Sequence, residues 1–191
     1  MNERQTRWND RHARGEETHG FSPSPLLDRA IAEEPPGVAL DVACGSGRHA
    51  IRLAEKGFHV VALDYAQAGL DVMMTEARRR SVDELLEPTL ADIESEDFRL
   101  DAGRFDVVCD FFFLHRPLLP KLRDSVAPGG LFVAAIHVES PENAAGHGFL
   151  LSPGELKKTV ASWGFDILYS NEGTTNGHPH ATAEIIARRP G

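Results

Sequence analysis

The chain has 191 residues, a formal net charge of −9 and no long basic run. Its length predicts one domain large enough for a hydrophobic core, and its acidic balance argues against nucleic acid or an acidic membrane surface as partner. The two cysteines, Cys44 and Cys109, form no Cys-x-x-Cys pair, so no disulfide framework is expected. The polar N-terminus and the lack of a long apolar stretch predict a cytoplasmic protein without a secretory signal or membrane span.

Apolar runs rich in β-forming residues alternate with helical periodicity along most of the chain. Residues 1–21 are polar and predict an N-terminal arm or lid, whereas residues 22–191 predict a single domain. The run Ser22-Pro23-Ser24-Pro25 suits a helix start, because the first amides of a helix are unpaired and proline has no N–H. The predicted elements that follow are strand 38–43, helix 47–56, strand 59–64, helix 66–80, strand 89–92, strand 105–113, helix 117–126, strand 131–137, helix 153–163, strand 165–170 and strand 181–187.

This alternation predicts an α/β fold, a Rossmann-like doubly wound seven-stranded sheet with helices on both faces. The connection between the last two predicted strands has about ten residues, which is too short for a parallel crossover. The sheet is therefore expected to be mostly parallel with an antiparallel last strand.

The most informative stretch joins the first predicted strand to the first helix of the alternation. Asp41 interrupts the apolar strand, and a tight Gly-x-Gly turn, Gly45 and Gly47, follows it. A second acid, Asp64, closes the next strand. Ligands of open α/β sheets bind at the carboxyl ends of the strands, so two acids and a turn without side-chain bulk predict a nucleoside-sized cleft there.

Two cofactors fit this turn at the level of pattern. The run from Gly45 to Ala50 satisfies the dinucleotide pattern G-x-G-x-x-A, and Asp64 lies near the acid spacing of that pattern. Against NAD stands Asp41, whose negative charge suits an ammonium group and gives a pyrophosphate nothing useful. Asp92 is a natural acceptor for an adenine amino group and has no place in the dinucleotide pattern.

The arrangement resembles the class I S-adenosylmethionine (SAM)-dependent methyltransferases over about residues 22–190. The resemblance rests on the run Leu40–Arg48, on Asp64, on Ala91-Asp92-Ile93 and on Pro128-Gly129-Gly130. Within that family the chain is most similar to the tellurite-resistance-type small-molecule enzymes, with thiopurine-type enzymes further off. The form of the glycine loop, the start at Trp8 and the Ser-Pro-Ser-Pro helix opening are typical of that subgroup.

The resemblance implies SAM as the cofactor. Asp41 would receive its ammonium group or order the loop, and Asp64 would accept the ribose hydroxyls, the alternative being a helix N-cap. Tyr65 would stack on the adenine, and Asp92 with the backbone of Ile93 would bind the adenine edge. The full set of expected cofactor-binding residues is Asp41, Ala43, Gly45, Gly47, Asp64, Tyr65, Asp92, Ile93 and Asp110.

No catalytic residue is assigned by the sequence, but four histidines are candidates: His115, His137, His178 and His180. All are expected at the carboxyl edge of the sheet, where they can bind an anionic acceptor or take a proton from a neutral one. The alternative is solvated loop histidines. No metal site is expected, because no Cys or carboxylate ligand lies at a usual spacing from His178 and His180. The adjacent run Phe111, Phe112 and Phe113 is expected to be core rather than ligand contact, since neighbours in a strand face opposite sides.

The sequence therefore predicts a SAM-dependent methyltransferase acting on a small-molecule acceptor such as a thiol or a selenium or tellurium oxyanion. No extra domain is predicted for a macromolecular substrate, and no feature indicates an oligomeric state. The alternatives are a non-catalytic SAM-binding module and an NAD-binding oxidoreductase.

Overall fold

The computed structural model describes residues 3–14, 20–139, 150–174 and 181–191. Its helices and strands, in chain order, are α1 (Glu3–Ala13), α2 (Pro25–Ala30), β1 (Val38–Val42), α3 (Arg48–Glu55), β2 (His59–Asp64), α4 (Gln67–Arg79), β3 (Leu86–Leu90), β4 (Phe105–Phe111), α5 (Leu119–Ser125), β5 (Val126–His137), α6 (Glu155–Ser162), β6 (Asp166–Gly173) and β7 (Thr182–Arg188).

The seven strands have the order β3-β2-β1-β4-β5-β7-β6. β1 pairs with β2, β2 with β3 and β4 with β5 in parallel, while β7 runs antiparallel to both β5 and β6. The predicted fold class, including the reversed last strand, is confirmed. The chain divides into two compact units, residues 1–99 and residues 100–191; the expected division into an arm and one domain stays a prediction.

The first unit contains three parallel strands and the helices around them. β1 and β2 are buried almost throughout, as expected of strands covered on both faces. One face of α3 is buried by Ala50, Ile51, Leu53 and Ala54. Ser24 caps the start of α2, where its Oγ accepts a hydrogen bond from the Leu26 amide.

The second unit is built around β5. Its residues Leu131 to Ile136 are all buried, which explains why this strand is a continuous apolar run rather than an alternating one. Trp163, at the end of α6, packs edge-on against Phe132 with ring centroids 5.1 Å apart.

Several predicted elements differ from the observed ones at their boundaries; β5, for example, begins at Val126 instead of residue 131. β3 begins at Leu86 and ends at Leu90, so Asp92 lies beyond the strand. Pro88 lies inside β3, and proline is tolerated there because β3 is an edge strand. β4 ends at Phe111 instead of residue 113, and the polar arm contains the helix α1.

None of the described helices is both long and apolar enough to cross a membrane.

The two glycines before the apolar run of β5 are expected to tolerate alanine differently. Gly129 has φ +79° and open space around it, so Gly129→Ala costs about 1 kcal/mol of backbone strain. A Cβ on Gly130 would lie 2.9–3.0 Å from three backbone carbonyl oxygens, those of Phe105, Asp106 and Ala127. Gly130→Ala is therefore expected to cost more than about 2 kcal/mol. Urea unfolding of both variants measures this order, and the reverse order would contradict the packing described.

Candidate functional site

The glycine loop, residues 43–47, connects β1 to α3 through a compact turn. Ala43, Gly45 and Gly47 have φ of +51°, +56° and +78°. The Gly47 amide donates to the Cys44 carbonyl at 2.9 Å, and the next helix starts at Arg48. Ala43 is a non-glycine residue in the left-handed region, which costs about 1–3 kcal/mol and is typical of functional sites.

The glycine loop lies directly on α4, which explains why two small residues are needed there. A Cβ on Gly47 would meet the Met73 side chain at 2.1 Å. A Cβ on Gly69, in the first turn of α4, would lie 2.9 Å from the carbonyl oxygen of Gly45. Larger residues at either position would push the loop and the helix apart.

The Asp64 carboxylate joins the glycine loop to the start of α4. Its Oδ2 accepts a hydrogen bond from the Gly45 amide, and its Oδ1 accepts one from the Ala66 amide, both at 2.8 Å. The side chain is buried. Burial raises the pKa of Asp64, against the opposing effect of the Ala66 and Gly45 amides and the nearby His12. Asp64 thus contacts the glycine loop and the residue that precedes α4, and its role as a ligand contact stays a prediction.

Asp41 is a buried acid with an unsatisfied oxygen. The residue is 1% exposed, and its Oδ2 has no hydrogen-bond partner among the described residues. Burial raises the pKa of Asp41 to about 7, although a hydrogen bond to the Ala50 backbone and the charge of Arg48 oppose this increase. Since a buried carboxyl oxygen without a partner is costly, this position favours a ligand that donates hydrogen bonds or carries positive charge.

The polar helix α1 packs on α4 beside the glycine loop. Asn9 Oδ1 accepts a hydrogen bond from the Ala68 amide at 3.0 Å, and His12 Nδ1 lies 3.4 Å from Ser46 Oγ. His12 is buried and stacks on Trp8 with ring centroids 5.8 Å apart. Neither His12 nor Asn9 is among the site residues expected from the sequence. The available signal was the spacing of Trp8 and His12, which places them on one helical face.

The expected adenine-side residues lie at the carboxyl ends of β2 and β3. The Ala91 amide donates to the Asp64 carbonyl at 2.9 Å, so the chain after β3 stays beside the end of β2. Tyr65 is half-buried, Ile93 is buried and Asp92 is exposed, with its Oδ1 accepting from the Glu94 amide at 3.1 Å. The first unit thus brings together all the expected cofactor-binding residues except Asp110.

The second unit holds the remaining described candidates. Asp110 is buried in β4, opposite Ala134 of β5. His115 follows β4 and His137 ends β5, and both are half-buried. His178 and His180 lie outside the described residues. Of the three phenylalanines, Phe111 is buried as expected, whereas Phe112 and Phe113 are only half-buried.

No group of three or more His, Cys, Asp or Glu side chains able to hold a metal ion occurs within residues 3–14, 20–139, 150–174 and 181–191.

Comparison with known proteins finds that part of this chain is similar to methyltransferases. Residues 39–130 match the family model described as a methyltransferase domain. The chain is 34% identical over 110 residues to the demethylmenaquinone methyltransferase of Clavibacter sepedonicus. This alignment covers 55% of the present chain and 43% of the relative, so the matched part is less than half the length of that protein.

Solved structures share the fold at low sequence identity. The 1,6-didemethyltoxoflavin-N1-methyltransferase of Burkholderia thailandensis, solved with S-adenosylhomocysteine, has a TM-score of 0.74 at 17% identity over 98% of this chain and 87% of its own. TehB from Haemophilus influenzae has a TM-score of 0.71 at 18% identity over 95% of this chain and 67% of its own. These similarities show that the fold is shared with both proteins.

Asp41→Asn is expected to change the pH dependence of stability. The folded-state pKa of about 7 lies above the ordinary value of 3.8. Between these values the folded protein keeps a proton that the unfolded chain has released, so this carboxyl lowers the free energy of unfolding as pH rises from about 4 to 7. At pH 5, about one unit above the unfolded pKa, the variant should already be more stable than the wild type by about 1–2 kcal/mol. At pH 8 the difference should have grown to about 4 kcal/mol.

Urea unfolding at both pH values tests this, with the exposed Asp97→Asn as the matched control. An equal difference at pH 5 and pH 8 would show that Asp41 is charged throughout.

Asn9→Ala is expected to loosen the start of α4. The variant removes the acceptor of the Ala68 amide, and loss of such a cap costs about 0.5–2 kcal/mol. Hydrogen exchange of the Ala68 amide should accelerate at least tenfold, while Asn171→Ala, at an exposed position of β6, should leave it unchanged. Unaltered exchange in Asn9→Ala would mean that α1 does not remain docked in solution.

Proposed function

We propose, from its methyltransferase domain and the class I fold, that this chain binds SAM at the glycine loop and transfers the methyl group to a small-molecule acceptor. The observation that carries the proposal is the pair of buried carboxyls, Asp41 and Asp64, beside a loop of minimal side-chain bulk. The matched segment, residues 39–130, includes both acids and the whole loop.

The residues present fit a cationic nucleoside. SAM carries an ammonium group and a sulfonium, and the partnerless Oδ2 of Asp41 suits a positively charged hydrogen-bond donor. A dinucleotide would instead bring its anionic pyrophosphate to a loop flanked by two buried acids. Charge repulsion in a poorly solvated site makes that arrangement unfavourable, so the NAD alternative is the weaker one.

The Asp64 carboxylate has enough hydrogen-bond acceptor positions for the ribose hydroxyls as well as for the two backbone amides. An ionised carboxylate offers about four acceptor positions, and the Gly45 and Ala66 amides use two of them. The remaining positions accept the two ribose hydroxyls. Tyr65 then lies beside the adenine, and Asp92 and Ile93 supply its edge contacts from the chain after β3.

Helix α1 contributes to water exclusion on the cofactor side. It is bound to the loop region through His12 and to the first turn of α4 through Asn9. Water exclusion strengthens the electrostatic interactions of the site and prevents hydrolysis. Trp8 and His12 extend this cover with stacked rings.

When bound, SAM supplies an electrophilic methyl group that is lost to any nucleophile in line with its C–S bond. The protein needs no covalent intermediate and contributes by holding the acceptor in line, which can lower the barrier by about 7–11 kcal/mol. An anionic acceptor requires no general base. For a neutral acceptor His115 and His137 are the described candidates, of which His137 lies next to an aromatic ring.

A small acceptor is supported by the names of the similar enzymes, which act on demethylmenaquinone and 1,6-didemethyltoxoflavin. A tellurite-resistance-type activity on thiols or on selenium or tellurium oxyanions is the finer proposal from sequence. The remaining alternative is a module that binds SAM without turnover.

Titration calorimetry with SAM is the direct test. The wild type should bind, and Asp64→Ala should weaken binding at least tenfold, because it removes both the ribose acceptors and the Gly45 contact. Asp97→Ala, an exposed acid of the same unit, is the matched control. Unchanged SAM affinity in Asp64→Ala would contradict the proposed contact between Asp64 and the ribose hydroxyls. Binding of NADH in place of SAM would overturn the proposed function. Transfer of labelled methyl to a panel of thiols, phenols, amines, selenite and tellurite separates the enzyme from the non-catalytic module.

A further inference from the structure

Phe112 has an unusual backbone for a large side chain. Its φ is +62° immediately after the last residue of β4, and its amide still donates to the Ala135 carbonyl of β5 at 2.7 Å. A bulky residue in this left-handed region is an outlier, at a cost of about 1–3 kcal/mol. Such strain persists only where the surrounding structure enforces it, and it is concentrated at functional sites.

The strained residue brings rings together at one edge of the second unit. The Phe112 ring lies 5.0 Å from the ring of His137, at the end of β5, with a 40° angle between the planes. It lies 6.4 Å from the Phe111 ring. Both separations fall in the range of favourable aromatic pairs. Phe111 is buried, whereas Phe112 and His137 are half-buried and keep accessible surface.

The position of this ring pair is one where ligands bind. β4 and β5 are parallel, so their carboxyl ends lie at one edge, the edge that carries ligands in open α/β sheets. Packing alone is a poor explanation of the strain, because the strained ring is not fully buried. A partly accessible ring pair offers a surface on which another flat ring can stack.

Charge at this edge favours a neutral or weakly charged acceptor over an inorganic oxyanion. Arg116, four residues after Phe112, is bound to the Glu155 carboxylate at 2.6 and 2.8 Å and to the Leu150 carbonyl at 3.1 Å. Its charge is therefore already compensated. Arg116 is thus less able to attract a selenium or tellurium oxyanion.

We infer that Phe112 and His137 form an acceptor platform that selects planar aromatic methyl acceptors. The inference rests on the proposed methyl transfer, since it names the acceptor class of that reaction. Ring stacking holds the plane of the acceptor, and the strained Phe112 backbone sets the angle at which its ring meets the acceptor.

The test compares two alcohols of similar size that differ in having a π face. Calorimetry with the full chain measures binding of 2-naphthol, of decahydro-2-naphthol and of sodium selenite. 2-Naphthol is expected to bind at least tenfold more tightly than the saturated alcohol and than selenite. Equal affinity for the two alcohols, or tighter binding of selenite, would overturn the inference.

Variants locate the effect at the platform. Phe112→Leu keeps the strained backbone and removes the aromatic ring. It should weaken binding of 2-naphthol at least fivefold and change the affinity for the saturated alcohol less than twofold. Phe112→Tyr keeps the ring and should stay within twofold of the wild type. Should Phe112→Leu fail to fold, Phe112→Gly removes the ring and the strain together and is expected to show the same loss. Tyr169→Leu, which removes a half-buried ring from β6, is the matched control.

Failure of this inference and failure of the proposed function are distinguishable. SAM affinity, measured separately, should be unchanged within twofold in Phe112→Leu. A wild type that binds SAM while Phe112→Leu retains full affinity for 2-naphthol overturns the platform only. A wild type that does not bind SAM overturns the proposed function.

Discussion

The candidate cofactor site depends on the carboxylate of Asp64. With one oxygen on the Gly45 amide and the other on the Ala66 amide, this side chain joins the glycine loop to the start of α4. The two elements are also in direct contact, because Gly47 packs against the Met73 side chain and Gly69 against the Gly45 carbonyl oxygen, with no room for a Cβ at either position. The loop is thereby held in position by an acid that also has acceptor positions left for a ligand. The same side chain thus organises the loop and is the one to which ribose binding is proposed.

Two buried carboxyl groups beside this loop determine which ligand charge the site favours. Asp41 and Asp64 are both buried, and burial raises the pKa of both. A cationic ligand relieves the repulsion and supplies the missing partner of Asp41 Oδ2, whereas an anionic one adds to the repulsion. The proposal of SAM instead of a dinucleotide at this glycine pattern therefore rests on the charge of the flanking strands.

Sequence patterns predicted the alternating architecture because buried parallel strands are continuous apolar runs. β2 was placed at its observed bounds, 59–64, and the reversed last strand followed from the length of one connection. Sequence patterns failed where tertiary contacts decide. Pro88 argued against a strand at the start of β3, but an edge strand tolerates proline. The helix α1 is polar because much of its surface faces solvent. Asn9 and His12 became visible as site residues only through contacts with Ala68 and Ser46, far along the chain. The strain at Ala43 and Phe112 leaves no mark in composition, since both residues are ordinary strand or loop residues by type.

The hydrogen bond between Asn9 and the Ala68 amide also has a consequence for synthesis. Its two residues are separated by 59 positions, and α1 leaves the ribosome well before the helix it contacts. The nascent first helix has no docking surface until β2 and α4 have been made. The contact between α1 and α4 can therefore form only after the glycine loop and both acids have been synthesised.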